Sequence, residues 1–171
     1  MNRSKIKKLV LTALFAALTY IATIVVQIPT PTKGYMNLGD CMVLLSAWFL
    51  GPLYGVLAGA IGSGLADVLT GYATYAPATV VIKGLMVIIA LIGLNKNSDS
   101  LQPKKRFGLR VFDGVLAELF MAFGYFCYEA VIQGNGLSAA VGIPSNLIQG
   151  GVGLASALII YSLLYKYKKY I

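Results

Sequence analysis

The stretch from Gly34 to Leu69 reads GYMNLGDCMVLLSAWFLGPLYGVLAGAIGSGLADVL and decides the class of protein. Between Cys41 and Ala66 it contains no acidic or basic residue. A helix needs about 20 apolar residues to cross the hydrocarbon core of a bilayer. Gly51-Pro52 interrupts the stretch, because proline cannot donate a helical hydrogen bond and disfavours helix in the residue before it. The stretch therefore predicts two membrane-embedded helices, separated at this dipeptide.

The rest of the chain has the same character. Of its 171 residues, 58% are hydrophobic and 12% are charged, whereas a soluble domain typically has about 25% charged residues. Polar and helix-breaking clusters divide residues 1–171, which we interpret as a single transmembrane domain, into six apolar segments. These lie near 6–28, 36–50, 53–70, 77–94, 109–133 and 144–165. The predicted fold is an all-α integral membrane bundle of six helices; because the second segment is short, five spans plus a re-entrant segment stay an alternative.

The basic residues predict the orientation of the bundle. With six spans, 12 of the 14 lysines and arginines fall on one side, before span one, between spans four and five, and after span six. Positively charged loops stay in the cytoplasm, so both termini are expected there. The net charge of +8 is then explained by topology and by anionic lipid headgroups, and no nucleic acid partner is expected.

Polar residues of separate spans fall at a similar shallow depth below the outer face. At about 1.5 Å per helical residue, the ionisable ones lie roughly 5–9 Å below the outer helix ends. Charges inside a membrane normally face the bundle interior or a wet cavity, so we predict a cavity that opens outward. The predicted substrate-binding residues are Asn37, Asp40, Asp67, Tyr75, Lys83, Tyr125, Glu129, Asn146 and Gln149.

Structural roles stay open for several of these residues. Asn37 and Asn146 are placed where they can cap helices, Asp67 and Lys83 can form a structural ion pair, and Tyr75 can belong to an interfacial aromatic belt. Glu118 lies on the same stripe of span five as Glu129 but roughly 22 Å from the outer end. It is too deep for the cavity, and a structural and a coupling role are both open.

The charge balance of the predicted cavity restricts its ligand. Three acids, Asp40, Asp67 and Glu129, stand against one base, Lys83. This balance disfavours a polyanion and suits a neutral or weakly cationic polar molecule, such as a small hydroxylated heteroaromatic compound held by hydrogen bonds and stacked on tyrosine.

Small residues spaced four apart predict close helix contacts. Ala13, Ala16 and Ala17 form such a face on span one, and Gly55 and Gly59 form one on span three. Small residues let helices approach closely in lipid, where packing drives association. For span three we expect packing inside this chain, whereas the alanine face can equally serve an external partner.

Catalytic motifs are missing from the sequence. It contains no histidine, and neither a GxxxxGK[ST] phosphate loop, an HExxH zinc pair nor a GxSxG serine motif. We therefore predict that the chain is not an enzyme, does not hydrolyse ATP itself and binds no metal or cofactor.

The six short spans, the Ala13-xxx-Ala17 face and the stretch from Gly34 to Leu69 together resemble the substrate-binding S components of energy-coupling factor (ECF) vitamin transporters. The similarity covers essentially the whole chain, and the N-L-G-D and G-P-x-x-G-x-x-x-G motifs of that stretch carry most of it. Within this group the chain is most similar to members assigned to riboflavin, hydroxymethylpyrimidine or pyridoxine-like substrates.

This resemblance implies a function. It implies capture of a small water-soluble vitamin or precursor from outside a prokaryotic plasma membrane, with hydroxymethylpyrimidine or a pyridoxine-like molecule expected first and riboflavin as the alternative. It also implies docking through Ala13, Ala16 and Ala17 onto a transmembrane coupling subunit driven by two ATPases, which use the ATP. A stand-alone secondary transporter of a small polar solute, with Glu118 in proton coupling, and a scaffold without ligand are the rival hypotheses.

Overall fold

The computed structural model describes residues 3–94 and 102–165, and within these ranges the chain is almost entirely helical. The helices are α1 (Arg3–Val25), α2 (Gly39–Leu69), α3 (Ala76–Ile89), α4 (Pro103–Cys127) and α5 (Ile143–Leu164). A π-helical turn, Tyr128–Ile132, continues α4, and a 3-10 segment, Gly136–Gly142, leads into α5. Two short antiparallel strands, β1 (Ile28–Pro29) and β2 (Tyr35–Met36), connect α1 to α2.

The long helix α2 reverses direction at Gly51. Its backbone there has φ 79° and ψ −173°, which is not helical, and glycine adopts positive φ without a steric penalty. The residues before and after this point form two segments. We call 39–50 the first arm of α2 and 52–69 the second arm.

The two arms of α2 pack against each other in antiparallel fashion. The Ser46 hydroxyl donates a hydrogen bond to the carbonyl oxygen of Gly55 over 3.2 Å. A Cβ atom at Gly55 would lie 2.9 Å from the Ser46 carbonyl oxygen, and one at Gly59 would lie 3.4 Å from Val43 Cγ1. The prediction that these glycines allow packing inside the chain is confirmed.

The first arm of α2 lies at the centre of the bundle. Val43, Leu44 and Ala47 have no solvent exposure. α2 contacts α1, α3 and α5, while α4 contacts α3 and α5. A Cβ at Gly62, on the second arm, would lie 2.4 Å from the Ala16 carbonyl oxygen of α1. α1 therefore crosses the second arm with almost no space between the two backbones.

The helices have the length and composition of membrane spans. Among the described residues, four helical stretches are long and apolar enough to cross a bilayer: Lys5–Val25, Gly39–Leu69, Pro103–Ile132 and Gly136–Leu164. α3 is apolar but shorter, with 14 residues. Many large apolar side chains, such as Leu53, Val131 and Leu163, are more than 60% exposed, which suits contact with lipid. The all-α membrane class is confirmed, whereas six separate spans and the orientation of the termini stay predictions.

Candidate functional site

A polar cavity lies at one end of the bundle, beside the β1–β2 hairpin. Its volume is about 30 Å³. Its described walls come from the hairpin region, the second arm of α2, α3, α4, the π-helical turn and α5: Thr30, Gly34, Tyr35, Asn37, Asp67, Tyr75, Thr79, Tyr125, Glu129, Asn146 and Gln149. Seven of the nine residues predicted to bind substrate are in this list; only Asp40 and Lys83 are not.

Tyr35 forms part of the cavity wall. Its hydroxyl donates a hydrogen bond to Asp67 Oδ1 over 2.6 Å, and its ring lies 4.4 Å from that of Tyr72, centroid to centroid. Burial, with the neighbouring Asp67 carboxylate as a second cause, raises the pKa of the Tyr35 hydroxyl. The phenol therefore stays protonated and keeps its role as a donor.

Tyr75 also forms part of the cavity wall, and its hydroxyl contacts residues of the hairpin and of the segment that follows α4. Its hydroxyl lies 2.7 Å from the Thr32 carbonyl oxygen, 3.2 Å from Glu129 Oε1 and 3.3 Å from Gln133 Oε1. It has one proton to donate, and the carbonyl of Thr32 is the nearest acceptor. The side chain is only 6% exposed, so its position is fixed by packing as well as by these contacts.

Two carboxylates of the cavity wall each keep a buried oxygen without a hydrogen-bond partner. These are Asp67 Oδ2 and Glu129 Oε2. The Thr79 and Thr32 hydroxyls lie near the Asp67 and Glu129 carboxylates, but neither of these two oxygens has a hydrogen-bond partner of normal geometry among the described residues. A buried polar atom without a partner costs free energy, so these two oxygens are acceptors that a ligand with N–H or O–H groups would satisfy.

Asp40 and Lys83 form an ion pair that is buried behind the cavity wall. Lys83 Nζ contacts Asp40 Oδ1, and the two side chains are 2% and 0% exposed. The structure thus pairs Lys83 with Asp40, so the alternative pairing with Asp67 is wrong. Lys83 Nζ also lies 5.5 Å from the ring centroid of Tyr125, close enough for a cation–π contact. A substrate-binding role for Asp40 and Lys83 stays a prediction.

Gln149 connects this ion pair to the cavity wall. Its Nε2 donates to Asp40 Oδ2 over 2.6 Å, and its Oε1 accepts the backbone N–H of Asn37 over 2.8 Å. The Asn37 side chain in turn accepts the backbone N–H of Gly39 over 2.8 Å. Asn37 therefore shapes the entry into α2 through a local turn, although the N-cap position itself is Leu38.

Glu118 lies deeper than the cavity, as its position in the sequence predicts. It is 6% exposed, and neither carboxylate oxygen has a hydrogen-bond partner. A Cβ at Gly150 would lie 2.9 Å from Glu118 Cβ, and a Cβ at Gly153 would lie 2.7 Å from Asp40 Cβ and 3.4 Å from Glu118 Oε1. Two glycines of α5 thus make room for both carboxylates near the bundle centre.

Four cavity residues are absent from the sequence-based set. They are Thr30, Gly34, Tyr35 and Thr79. Thr79 stands four residues before Lys83 and hence on the same face of α3, and its hydroxyl lies 3.0 Å from that of Tyr125. The spacing of four residues from Lys83 could have identified Thr79 as a cavity residue from the sequence. The other three lie in or beside the hairpin, whose two-residue strands leave no periodic pattern to detect.

The alanine face of α1 borders an open apolar groove. Ala13 and Ala17 are exposed, and Ala16 is partly buried. With leucines and an isoleucine of the second arm of α2, they line about 680 Å³ of space open to the surroundings. Nothing larger than a methyl group projects from these three positions, so another helix can approach α1 closely here.

Within residues 3–94 and 102–165 there is no cluster of three or more cysteine, aspartate or glutamate side chains arranged to hold a metal ion. The two cysteines, Cys41 and Cys127, are free thiols.

A polar cavity at one end of a membrane helix bundle is the arrangement expected of a membrane protein that binds a small solute. The model of the family described as "ECF-type riboflavin transporter, S component" matches residues 3–168. The chain therefore belongs to this family of ECF transporter S components. Such S components bind vitamins and work with a coupling subunit and ATPases; they are transporter subunits and not enzymes.

The chain is also similar to two curated proteins. The chain is 35% identical over 141 residues to a Pyrococcus woesei protein named "Uncharacterized protein in gap 3'region", covering 78% of this chain and 90% of that protein. It is 25% identical over 166 residues to the thiamine precursor transporter HmpT of Lactococcus lactis subsp. cremoris (strain MG1363), covering 96% and 91% of the two chains. The resemblance to S components of vitamin transporters is thereby confirmed.

Proposed function

We propose that the chain captures a small water-soluble vitamin or vitamin precursor with one heteroaromatic ring, of the hydroxymethylpyrimidine or pyridoxine type, in the cavity beside the hairpin. The observation that carries this proposal is the pair of acceptor oxygens without partners, Asp67 Oδ2 and Glu129 Oε2. A ring that bears amino or hydroxyl groups would donate to both. Tyr35, Tyr75 and Tyr125 line the same cavity and supply aromatic surfaces for the ring.

The charges of the wall favour a ligand without phosphate. The described lining contains two carboxylates and no lysine or arginine. Lys83 is engaged behind the wall by Asp40. An anionic ligand would meet negative charge without a counter-ion, whereas a neutral or weakly cationic ring would be attracted.

Riboflavin is the second candidate, and the family match favours it. Its larger ring system would also stack on tyrosine. The size of the cavity favours a single ring. Its volume of about 30 Å³ is far below the roughly 300–1,000 Å³ typical of ligand pockets, so its walls must move apart to admit either ligand, and a single ring needs the smaller movement.

Ligand identification tests the proposal. The protein is purified in detergent without added vitamin, and the small molecules released by denaturation are identified by mass spectrometry. The stripped protein is then titrated with hydroxymethylpyrimidine, pyridoxine and riboflavin by calorimetry. Saturable binding of a single-ring compound with at least tenfold preference over riboflavin supports the proposal. Preference for riboflavin would favour the second candidate, and binding of none of the three would refute both.

We also propose that the groove beside Ala13, Ala16 and Ala17 receives the coupling subunit, which two ATPases drive. On this account ATP is used by the partner subunits and this chain binds neither ATP nor another cofactor. Support comes from the exposed small side chains and from the way S components work. Uptake should then require all subunits and ATP. Ion-driven uptake into vesicles that contain this chain alone would instead establish a secondary transporter.

The proposed setting is a prokaryotic plasma membrane, with both termini inside and the cavity facing outward. The distribution of basic residues supports this orientation. In a variant whose cysteines 41 and 127 are replaced by alanine, single cysteines are introduced by Ser98→Cys or Lys33→Cys. A membrane-impermeant maleimide should label Lys33→Cys in intact cells and Ser98→Cys only after lysis. The reverse pattern would overturn the topology.

A further inference from the structure

The connection between α4 and α5 presents large aliphatic side chains to the outside of the bundle. Val131, Ile132 and Leu137 are 75%, 71% and 87% exposed. Val141 is 58% exposed. We call these four side chains the aliphatic patch. The patch lies at the same end of the bundle as the polar cavity, but none of its residues is among the described walls of that cavity, so the proposed vitamin site does not explain it.

The 3-10 segment turns its small residues towards the bundle and its large ones away from it. In a 3-10 helix, residues three apart lie on the same side. Ala139 and Gly142 are such a pair and are buried; a Cβ atom at Gly142 would lie 3.1 Å from Glu129 Oε2 in the cavity wall. Leu137 and Val141 stand on the other two sides. Water favours the opposite arrangement, because it drives large apolar side chains inward, so the inversion indicates apolar surroundings.

The length of the helices puts this connection at a membrane interface. Arg110 is the last basic residue before Lys166, and basic residues near the ends of spans mark the level of the headgroups. A helix crosses the hydrocarbon core in about 20 residues. Counted along the sequence, that length leads from Arg110 to Ala130 and from Lys166 back to Asn146. The residues between Ala130 and Asn146 therefore fall where the hydrocarbon meets the headgroups at the cavity end.

The composition of the connection favours lipid over a protein as the partner of the patch. Between Glu129 and Lys166 the chain has no acidic or basic residue. Protein interfaces are enriched in aromatic residues, methionine and arginine, whereas the patch contains only valine, isoleucine and leucine. In sequence it lies between two helices whose own exposed side chains, such as Phe123 and Ile148, are apolar. Both helices are long and apolar enough to cross a bilayer, so the patch continues a surface that faces lipid.

We infer that the aliphatic patch is embedded in the membrane interface on the cavity side, and that this lipid contact holds the 3-10 segment against the cavity wall at Glu129. Residues 134–143, which the sequence assigns to a loop between spans, would then anchor the site in the membrane. The lipid contact itself does not depend on the proposed function. Its effect on the cavity rests on that function and is tested separately.

Spin labels locate the patch relative to the membrane. In the variant whose cysteines 41 and 127 are replaced by alanine, a nitroxide is attached at Leu137→Cys or at Pro31→Cys, an exposed position at the tip of the hairpin. Each chain is placed alone in a phospholipid nanodisc. Relaxation of the label is measured with oxygen, which concentrates in lipid, and with a water-soluble nickel chelate. We expect the ratio of oxygen to nickel accessibility to be at least threefold higher at position 137 than at position 31.

The other outcomes contradict the lipid contact. Equal ratios at the two positions would place the patch in water and overturn the inference. A label at position 137 that neither reagent reaches would show that protein covers the patch, which also overturns it. If Leu137→Cys does not fold, Val131→Cys reports on the same patch and should give the same high ratio; a ratio equal to that at position 31 contradicts the inference.

Two charged variants test the link between the patch and the cavity. Leu137→Asp places a charge in the interface, so it should draw the 3-10 segment away from Glu129 and weaken binding of hydroxymethylpyrimidine about threefold in nanodiscs. Asn135→Asp adds the same charge at an exposed position that is already polar, and should change the affinity less than twofold. Equal effects of the two would refute the link. If the unmodified chain binds no vitamin, the proposed function fails, whereas the spin labels still decide whether the patch contacts lipid.

Discussion

Replacing Lys83 by methionine removes the positive partner of a carboxylate at the centre of the bundle. Methionine keeps most of the volume of lysine, so the change isolates the charge. Lys83 and Asp40 are 2% and 0% exposed. Removing one member of a buried ion pair costs about 3–5 kcal/mol, because the other charge is left buried without compensation.

This cost should appear as a large fall in thermal stability. For a chain of 171 residues, 1 kcal/mol corresponds to a Tm shift of about 2–4 °C. We therefore expect Lys83→Met to lower the Tm by roughly 6–20 °C, measured by intrinsic fluorescence in detergent. The substitution should also weaken binding of the vitamin. Gln149, which Asp40 orients, holds the backbone of Asn37 at the cavity, so affinity for the vitamin should fall at least tenfold.

A double-mutant cycle separates loss of the pair from loss of packing. Asp40→Asn should destabilise the protein by a similar amount, and the combination with Lys83→Met should cost clearly less than the sum of the two single changes, because no unpaired charge remains. Lys33→Met, the same substitution at an exposed position, is the control and should shift the Tm by less than 2 °C. An additive double variant, or a Lys83→Met protein as stable as the control, would refute a buried ion pair.

Three further variants address other parts of the molecule. Ala17→Trp should abolish ATP-dependent uptake by the complete transporter but leave vitamin binding by the isolated chain intact, and loss of both would indicate misfolding. Gly62→Leu should lower the Tm by more than 5 °C, because its Cβ would lie 2.4 Å from the Ala16 carbonyl oxygen; a protein of wild-type stability would contradict this close crossing. Tyr35→Phe removes the donor to Asp67 and should weaken vitamin affinity threefold to tenfold by calorimetry, whereas unchanged affinity would exclude this contact from the site.

The helical elements of the fold could be predicted because membrane helices have strong sequence signals. Gly51-Pro52 marked the break within α2, because proline disfavours helix in the residue before it; the positive φ of Gly51 was not part of that prediction. The β1–β2 hairpin escaped prediction because each strand has two residues and one of them is Pro29, which cannot donate to a ladder. The π-helical turn Tyr128–Ile132 likewise depends on packing around α4 and has no local sequence signature.

The sequence predicted how far below the membrane surface each site residue lies, but not which side of its helix faces the cavity. Counting residues from helix ends placed Asp67, Glu129 and Gln149 at one level, and all three line the cavity. The same count put Lys83 at that level too. Which carboxylate it reaches depends on how far α3 is rotated towards the first arm of α2, and that rotation selects Asp40. Such rotations are set by tertiary packing, which a single sequence does not display.

The most direct test of the vitamin site compares two carboxylates of the same helical stretch. Glu129 lines the cavity and Glu118 does not, although Glu129 keeps one oxygen atom and Glu118 both oxygen atoms without a hydrogen-bond partner. Equilibrium binding of radiolabelled hydroxymethylpyrimidine, with riboflavin measured in parallel, is determined for Glu129→Gln and Glu118→Gln. We expect at least a tenfold loss of affinity for Glu129→Gln and a change below twofold for Glu118→Gln. Equal affinities of Glu129→Gln and the unmodified protein for both compounds would contradict it.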